Sequence, residues 1–398
     1  ARLIAEYVNR DFLGRLRKLT LRGKVGWAFI PNIYSVIANV VGDAPSNGLI
    51  YKALSELEQP HFFHQNLRLS TSIESEKGIE QAFAFIGGRV KTGVIWQPHS
   101  SFSIFPSYNF ELESLSAGQA DLGNTAPSLF FGCPGRLCKL SYLEQVITWD
   151  RRNDRQEPKK GYYLSLSLQE GGGWLGGSFK YVRVEPDLRA YVSFLRDQKL
   201  TIAARIHLGS LFPASGNVSP IISRFYAGGA ASMRGFNYRR LSPLYGVVQP
   251  NFTFSDGVAS QAGAKAGLTV PIGGNGLAES SIEVRYQITS NIELAVFFDT
   301  GFVSSDDLLH GFRNSSDSFF GSMQYAVGIG ARYVTVVGPI RVDLAYRLPI
   351  GPPLIVNNPL GVNYNTDTTC FGLGFIGGHR SGSPEGVCAF HLSIGEAF

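Results

Sequence analysis

Between Ile340 and Leu348 the chain alternates, with Ile340, Val342, Leu344, Tyr346 and Leu348 on one face and Arg341, Asp343, Ala345 and Arg347 on the other. Successive side chains of an extended chain point to opposite faces, so this period of two predicts a β-strand. Ile282, Val284, Tyr286 and Ile288 alternate with Glu283, Arg285 and Gln287, and Ile292, Leu294, Val296 and Phe298 with Glu293, Ala295, Phe297 and Asp299. The stretches 102–112, 162–169, 182–194 and 200–208 repeat it, the last with Arg205 and His207 on its polar face. In a soluble sandwich such a pattern means core inside and water outside, whereas in a transmembrane barrel it means lipid outside and a wet lumen inside, so alternation alone does not choose. Repetition over the whole length does. No helix-period segment is available to cover the apolar faces, most strands have roughly the 9–11 residues needed to cross at a tilt, and backbone groups in lipid must all be paired, which leaves a closed antiparallel barrel.

Composition sharpens this picture. At 398 residues the chain could hold several soluble domains, but no linker or composition break divides it, and 1–398 is read as one barrel domain. The 46 Gly, 28 Phe and 17 Tyr suit tight turns and aromatic girdles. A mean hydropathy of +0.02 is too polar for a helical membrane bundle, and no run of about 18 apolar residues is present to form a spanning helix. Only 17% of residues are charged, which fits a chain with half of each strand against lipid. The net charge of +5 is modest, and the cluster Arg15, Arg17, Lys18, Arg22 and Lys24 lacks the interleaved aromatics of a nucleic-acid stripe, so no nucleic-acid partner is expected.

Catalytic chemistry finds little support. There is no HExxH or G-x-S-x-G, and Gly171-Gly172-Gly173-Trp174 lacks the Lys-Ser or Lys-Thr of a phosphate loop; neither an enzyme nor a cofactor is expected. Cys133 and Cys138, and Cys370 and Cys388, form two sequence-local pairs suited to disulfides in an oxidising compartment. Four free thiols fit the same spacing. Zinc is disfavoured, since neither pair has CxxC spacing and no His is near Cys133 or Cys138.

The most distinctive stretch is Phe225-Tyr226-Ala227-Gly228-Gly229-Ala230-Ala231-Ser232-Met233-Arg234-Gly235-Phe236. With the strands that follow it, this resembles the lumen-plugging loop of the BamA/TamA superfamily of outer-membrane assembly barrels. Ser281–Tyr286 and Val296–Gly301 are similar to that family's neighbouring strands twelve and thirteen, Tyr325–Gly330 and Gly338–Tyr346 to strands fourteen and fifteen, and His391–Phe398 to its closing strand. Met233 stands where the family has an aliphatic residue. The run from Arg234 to Pro243 looks slightly nearer the TamA branch.

Several expectations follow from the resemblance. The segment 210–272 plugs the lumen. Strands begin near 20, 49, 66, 88, 102, 140, 161, 178, 199, 277, 292, 323, 340 and 388, with one more within 1–12. The family has sixteen, and because Asn9–Gly14 resembles its turn between the second and third strands, the first strand is expected upstream of Ala1, along with periplasmic POTRA domains outside this chain. Arg234 is expected to reach inward to Glu283 and Asp299 near Gly301, with Gly228, Gly229, Met233, Gly235 and Phe236 shaping the loop. Its planar fork suits a bidentate contact with Asp299. A solvated Arg on a loop tip is the alternative. Gly395 and Phe398, in the closing strand, are candidates for a lateral gate, although Gly395 also reads as an ordinary small residue facing the lumen.

The implied function is insertion or translocation of β-barrel or autotransporter-type substrates through a seam between first and last strands, in the outer membrane of a Gram-negative bacterium. Unfolded outer-membrane proteins, membrane lipid and lipopolysaccharide, and a periplasmic or inner-membrane partner bound through POTRA domains are the implied partners. A two-partner secretion transporter exporting a soluble partner through the lumen, and a passive porin, are the rival readings.

Overall fold

The computed structural model describes residues 2–30, 46–117, 133, 137–214, 218–248, 252–255, 258–261, 267–314, 322–335, 339–351, 356–357 and 386–394. One antiparallel sheet dominates it. Ten strands run in sequence order, β1 (Arg2–Asn9), β2 (Lys18–Ile30), β3 (Ser46–Gln59), β4 (Leu67–Ile79), β5 (Phe83–His99), β6 (Phe102–Ala117), β7 (Leu137–Asp150), β8 (Gly161–Gly171), β9 (Tyr181–Phe194) and β10 (Leu200–Pro213). The connection 214–275 carries four short strands, β11 (Leu244–Val248), β12 (Phe252–Ser255), β13 (Val258–Gln261) and β14 (Gly267–Pro271). The large sheet then resumes with β15 (Gly276–Gln287), β16 (Ile292–Ser304), β17 (Gln324–Tyr333) and β18 (Ile340–Arg347), and ends with β20 (Cys388–Ile394). Its order is β1 to β10, then β15 to β18, then β20, making fifteen strands that start within a few residues of the expected positions. The largest offset is at β5, whose ladders continue through Gly87 and Gly88 instead of starting there. No ladder joins β1 to β20 among the described residues.

The faces are inverted relative to a soluble protein. On β15 the outward Ile282, Val284 and Tyr286 are exposed while Ser281, Glu283 and Arg285 are buried. On β16 and β18 the exposed set is Leu294, Val296, Phe298, Val342 and Leu344, and the buried set is Glu293, Asp299, Arg341, Asp343 and Arg347. Val296 is 61% exposed, whereas Glu283 and Asp343 are both 0% exposed. Water would penalise that arrangement on both faces; lipid outside and a polar interior satisfy both. The chain is a transmembrane β-barrel protein. Trp96, Phe102, Trp149 and Tyr162 form a chain of edge contacts with ring centroids 6.3, 6.5 and 5.8 Å apart where β5 to β8 meet their short turns, as an interfacial girdle does. No described helix is long and apolar enough to cross a membrane; the α-helix α1 (Leu308–Asn314) lies in the β16–β17 connection.

The strand ends sort by connection length. At one end the links are short, including 100–101, 195–199 and 288–291, and at the other lie 118–136, 214–275, 305–323 and 348–387. At the long-loop end, β14 and β11 pair antiparallel and β11 pairs parallel with β19 (Val356–Asn357), so a three-stranded cap joins two connections distant in sequence. Beneath the cap, Ile221, Phe225, Met233, Phe236, Leu241 and Val270 pack with wall residues such as Phe83, Leu140, Leu211, Leu277 and Ala326 in one apolar core. The sheet wraps this core, since wall residues of β5, β6, β7, β9, β10, β15, β16 and β17 contribute to it.

Candidate functional site

The segment 225–241 enters the barrel from the long-loop end and returns on itself. Phe225 bridges to Gly274 and Ala227 to Leu241, closing its base. Gly228 and Gly229 have φ of +102° and +110°, a left-handed region in which a Cβ is strained, and a Cβ on Gly228 would stand 2.5 Å from the Asn237 carbonyl oxygen. These two residues turn the chain so that Arg234 points at the wall.

Arg234 is 1% exposed and meets two buried carboxylates. Its Nε donates to Asp299 Oδ2 and its Nη2 to Asp299 Oδ1, both at 2.8 Å, a bidentate fork. Nη1 donates to Glu283 Oε2 at 2.5 Å, Nη2 to Ser281 Oγ at 3.2 Å, and the backbone N–H to Asp299 Oδ2 at 3.0 Å. Ser281 Oγ in turn donates at 2.6 Å to Asp299 Oδ1, the oxygen that also accepts from Arg234 Nη2. The guanidinium also lies over the Phe297 ring, 3.3 Å from its centroid. Burial alone would lower the affinity of Arg234 for its proton; the hydrogen bond and charge of Asp299, with Glu283, outweigh that and hold the group above its ordinary pKa.

Alternation explains the seat. Ser281, Glu283 and Asp299 are inward positions on neighbouring strands, and the β15–β16 register sets Ser281 opposite Asp299. Glu283 also accepts from Arg285 Nε at 2.6 Å and from Arg332 of β17, so three guanidinium groups converge on one carboxylate. Gly301 provides room: a Cβ there would stand 2.9 Å from Leu241 Cδ2 and 3.2 Å from Met233 Sδ. Gly235 does the same against β17, where a Cβ would stand 2.5 Å from Ala326 Cβ. Phe236 is 1% exposed, with the Arg347 guanidinium 4.9 Å above its ring.

Contacts not read from the sequence tie the same loop to three more strands. His391 of β20 donates through Nε2 to the Arg234 carbonyl at 2.9 Å. Arg205 of β10 donates to the Ala231 carbonyl at 3.0 Å, and Arg341 of β18 to that of Ala230. Ser232 donates to Glu279, whose other oxygen lies 3.1 Å from His207 Nδ1. The inward-facing Arg205, His207 and Arg341 were visible as polar positions, but which loop atoms they reach depends on a fold in which His391 and Arg234 are 157 residues apart.

Cys133 and Cys138 form a disulfide with Cα atoms 4.9 Å apart. Cys388 is also disulfide-bonded; Cys370, its expected partner, lies outside the described residues, as do Gly395 and Phe398 of the expected gate. Among the described residues no group of His, Cys, Asp and Glu is arranged to hold a metal.

Known proteins place this architecture. Over 206 residues the chain is 24% identical to the outer membrane protein assembly factor BamA of Nitratidesulfovibrio vulgaris, covering 51% of this chain and 22% of that protein. Over 103 residues it is 30% identical to the human sorting and assembly machinery component 50 homolog, covering 26% of this chain and 21% of that protein. The alignments thus span about a fifth of the length of these curated relatives. The solved structure of BamA from Haemophilus ducreyi lacking POTRA domains 1-3 shares the fold, with a TM-score of 0.59 at 16% identity, over 88% of this chain and 66% of that one. None of these matches bears on the TamA branch. A model of the Omp85 superfamily domain matches residues 53–398, a span that includes the Arg234 loop and all the strands it touches, and the chain belongs to the Omp85 superfamily.

Proposed function

We propose that this chain is the membrane barrel of an outer-membrane protein assembly factor that accepts strands of unfolded substrates at the seam between the barrel's first and last strands. The observation that carries the reading is that the Arg234 loop is fixed to the inner wall through the buried Glu283 and Asp299 of β15 and β16, which leaves the wall, not the lumen, as the place where a substrate strand is received. An unpaired edge presents a row of N–H and C=O groups, a template for an incoming strand. Meanwhile the Arg234 loop packs against the inner wall, which supports passage at the wall over free diffusion through the lumen. No catalytic residue is assigned; the driving force is the folding of the substrate itself.

The relatives named as an outer membrane protein assembly factor and as a sorting and assembly machinery component support this class of activity. Disulfides at Cys133–Cys138 and at Cys388, both at the long-loop end, support an oxidising surface there, as on a bacterial outer membrane, rather than the reducing cytosol that faces a mitochondrion. Lipopolysaccharide and a partner docked through POTRA domains remain part of the proposal.

The test is to lock the seam. In cells depleted of the wild-type protein, cysteines are introduced in β1 at Ile4 and at Ala397, three residues beyond β20, and insertion of a model barrel is scored with and without reductant. Insertion that stops when the pair is oxidised and resumes on reduction is the expected result. Normal insertion by the locked protein removes the seam from the mechanism and moves the function to export through the lumen.

A further inference from the structure

The loop that carries Arg234 has a second point of attachment on a different part of the wall. Arg240 is 0% exposed; its Nη1 donates to Gln81 Oε1 at 3.1 Å and to the Thr269 carbonyl at 2.6 Å, and its Nη2 to Thr269 Oγ1 at 2.5 Å. Beside it, Arg239 Nη1 lies 3.4 Å from Glu80 Oε1, with its guanidinium over the rings of Tyr226 and Tyr238 at 4.6 and 5.4 Å. Glu80 and Gln81 form the short β4–β5 turn at the long-loop end. Thr269 belongs to β14 of the cap, whose partner β11 also pairs with β19 from the β18–β20 connection. Arg240 therefore joins the β4–β5 turn to the cap, while Arg234 grips β15 and β16.

The two attachments differ in kind. The Arg234 clamp holds carboxylates fixed in strands, each 1% exposed or less. At the second attachment the Arg239 side chain is 31% exposed, and Glu80 Oε2 and Gln81 Nε2 make no further hydrogen bond within the protein. Breaking it leaves the strand ladders intact, because the turn and the cap contribute none of the large sheet's pairing between β5 and β18.

We infer that Arg239 and Arg240, with Glu80 and Gln81, form a latch that closes the long-loop mouth of the lumen and opens independently of the Arg234 clamp. The inference does not rest on the seam, and its readout is conductance, not insertion.

The experiment is single-channel recording of the full protein in planar lipid bilayers, with heat-modifiable migration on gels as the check of folding. Glu80→Arg and Arg239→Glu each raise the open fraction, by about fivefold or more for loss of a partly exposed ion pair replaced by repulsion. The double variant, with the charges exchanged, returns to within about twofold of the wild type. Gln81→Leu, which removes the acceptor and leaves Arg240 in place, also opens the mouth, and is read if Arg240→Gln gives no folded protein. Single variants as closed as the wild type, or a double variant as open as either single one, overturn the latch. A protein that opens as described yet inserts substrates normally retains the latch and shows that mouth closure and assembly are separate.

Discussion

Arg234 concentrates more interactions than any other residue of its loop, and their geometry separates charge from shape. Replacing it with Ala leaves Glu283 and Asp299 buried without their shared cation, a loss of about 3–5 kcal/mol for breaking a buried pair. Lys keeps the charge but cannot reproduce the fork on Asp299 together with the contacts to Glu283 and Ser281, and costs about 1.5–3 kcal/mol. Chemical denaturation of the three proteins in lipid should therefore rank wild type above Arg234→Lys above Arg234→Ala; equal stability of Lys and wild type would show that only the charge matters. The acidic partners of Arg234 were legible through the family resemblance, with which alternation agrees by putting Glu283 and Asp299 on inward faces of adjacent strands. Ser281 was on the same face but gave no signal of its own, since a serine among alternating residues reads equally as a wall position. His391 and Arg332 were not assignable to the site at all, because a bond from β20 or β17 to this loop is fixed only by the register of non-local ladders.

At the level of strands the determining feature is which face meets lipid. Ile282, 53% exposed on β15, lies next to Glu283, 0% exposed, so adjacent residues sit in opposite solvents. Ile282→Arg is expected to destabilise the barrel by about 2–4 kcal/mol if it lies near the midplane. The same side chain introduced at Ser72, which shares the inward face of β4 with Ser70 and Glu74, should cost little, since that wall already carries Lys52 paired with Glu74 and Glu76 at 2.6 and 2.9 Å. Urea titrations in matched lipid measure both; comparable losses at the two sites would mean the faces are not distinguished by solvent. This strand-level pattern is why the strands over 102–112, 162–169, 182–194, 200–208, 282–288, 292–299 and 340–348 were readable, period two being a local property, while the remaining members of the sheet came from the family's arrangement. The cap was not readable. Its strands have as few as two and five residues, and one of its ladders pairs β11 with β19 across more than a hundred residues, so nothing in the local sequence announces it. The latch was hidden for the same reason, as nothing local to Arg239 and Arg240 points to the β4–β5 turn set against them.

The whole molecule has a direction in the membrane that its parts fix together. Short turns and the Trp96–Phe102–Trp149–Tyr162 chain mark one boundary; the plug, the cap and the disulfides mark the other. Barrels of bacterial outer membranes turn their short connections to the periplasm and their long ones outward. In the proposed bacterial outer membrane this rule puts Phe63, 91% exposed in the β3–β4 turn, on the periplasmic side and Trp174, 80% exposed in the β8–β9 connection, on the cell surface. No free cysteine is present among the described residues, so a single introduced thiol reports its own position. With a membrane-impermeant maleimide, Trp174→Cys should react on intact cells, while Phe63→Cys should react only after the outer membrane is permeabilised. The reverse pattern would invert the barrel, and with it the side from which substrates reach the seam. It would also place the Arg239–Arg240 latch on the periplasmic mouth, where it would guard entry instead of exit. Labelling at both positions in intact cells would point to a barrel open enough to pass the reagent, which the latch is built to prevent. One pair of variants therefore tests the orientation on which both the seam mechanism and the role of the closed mouth depend.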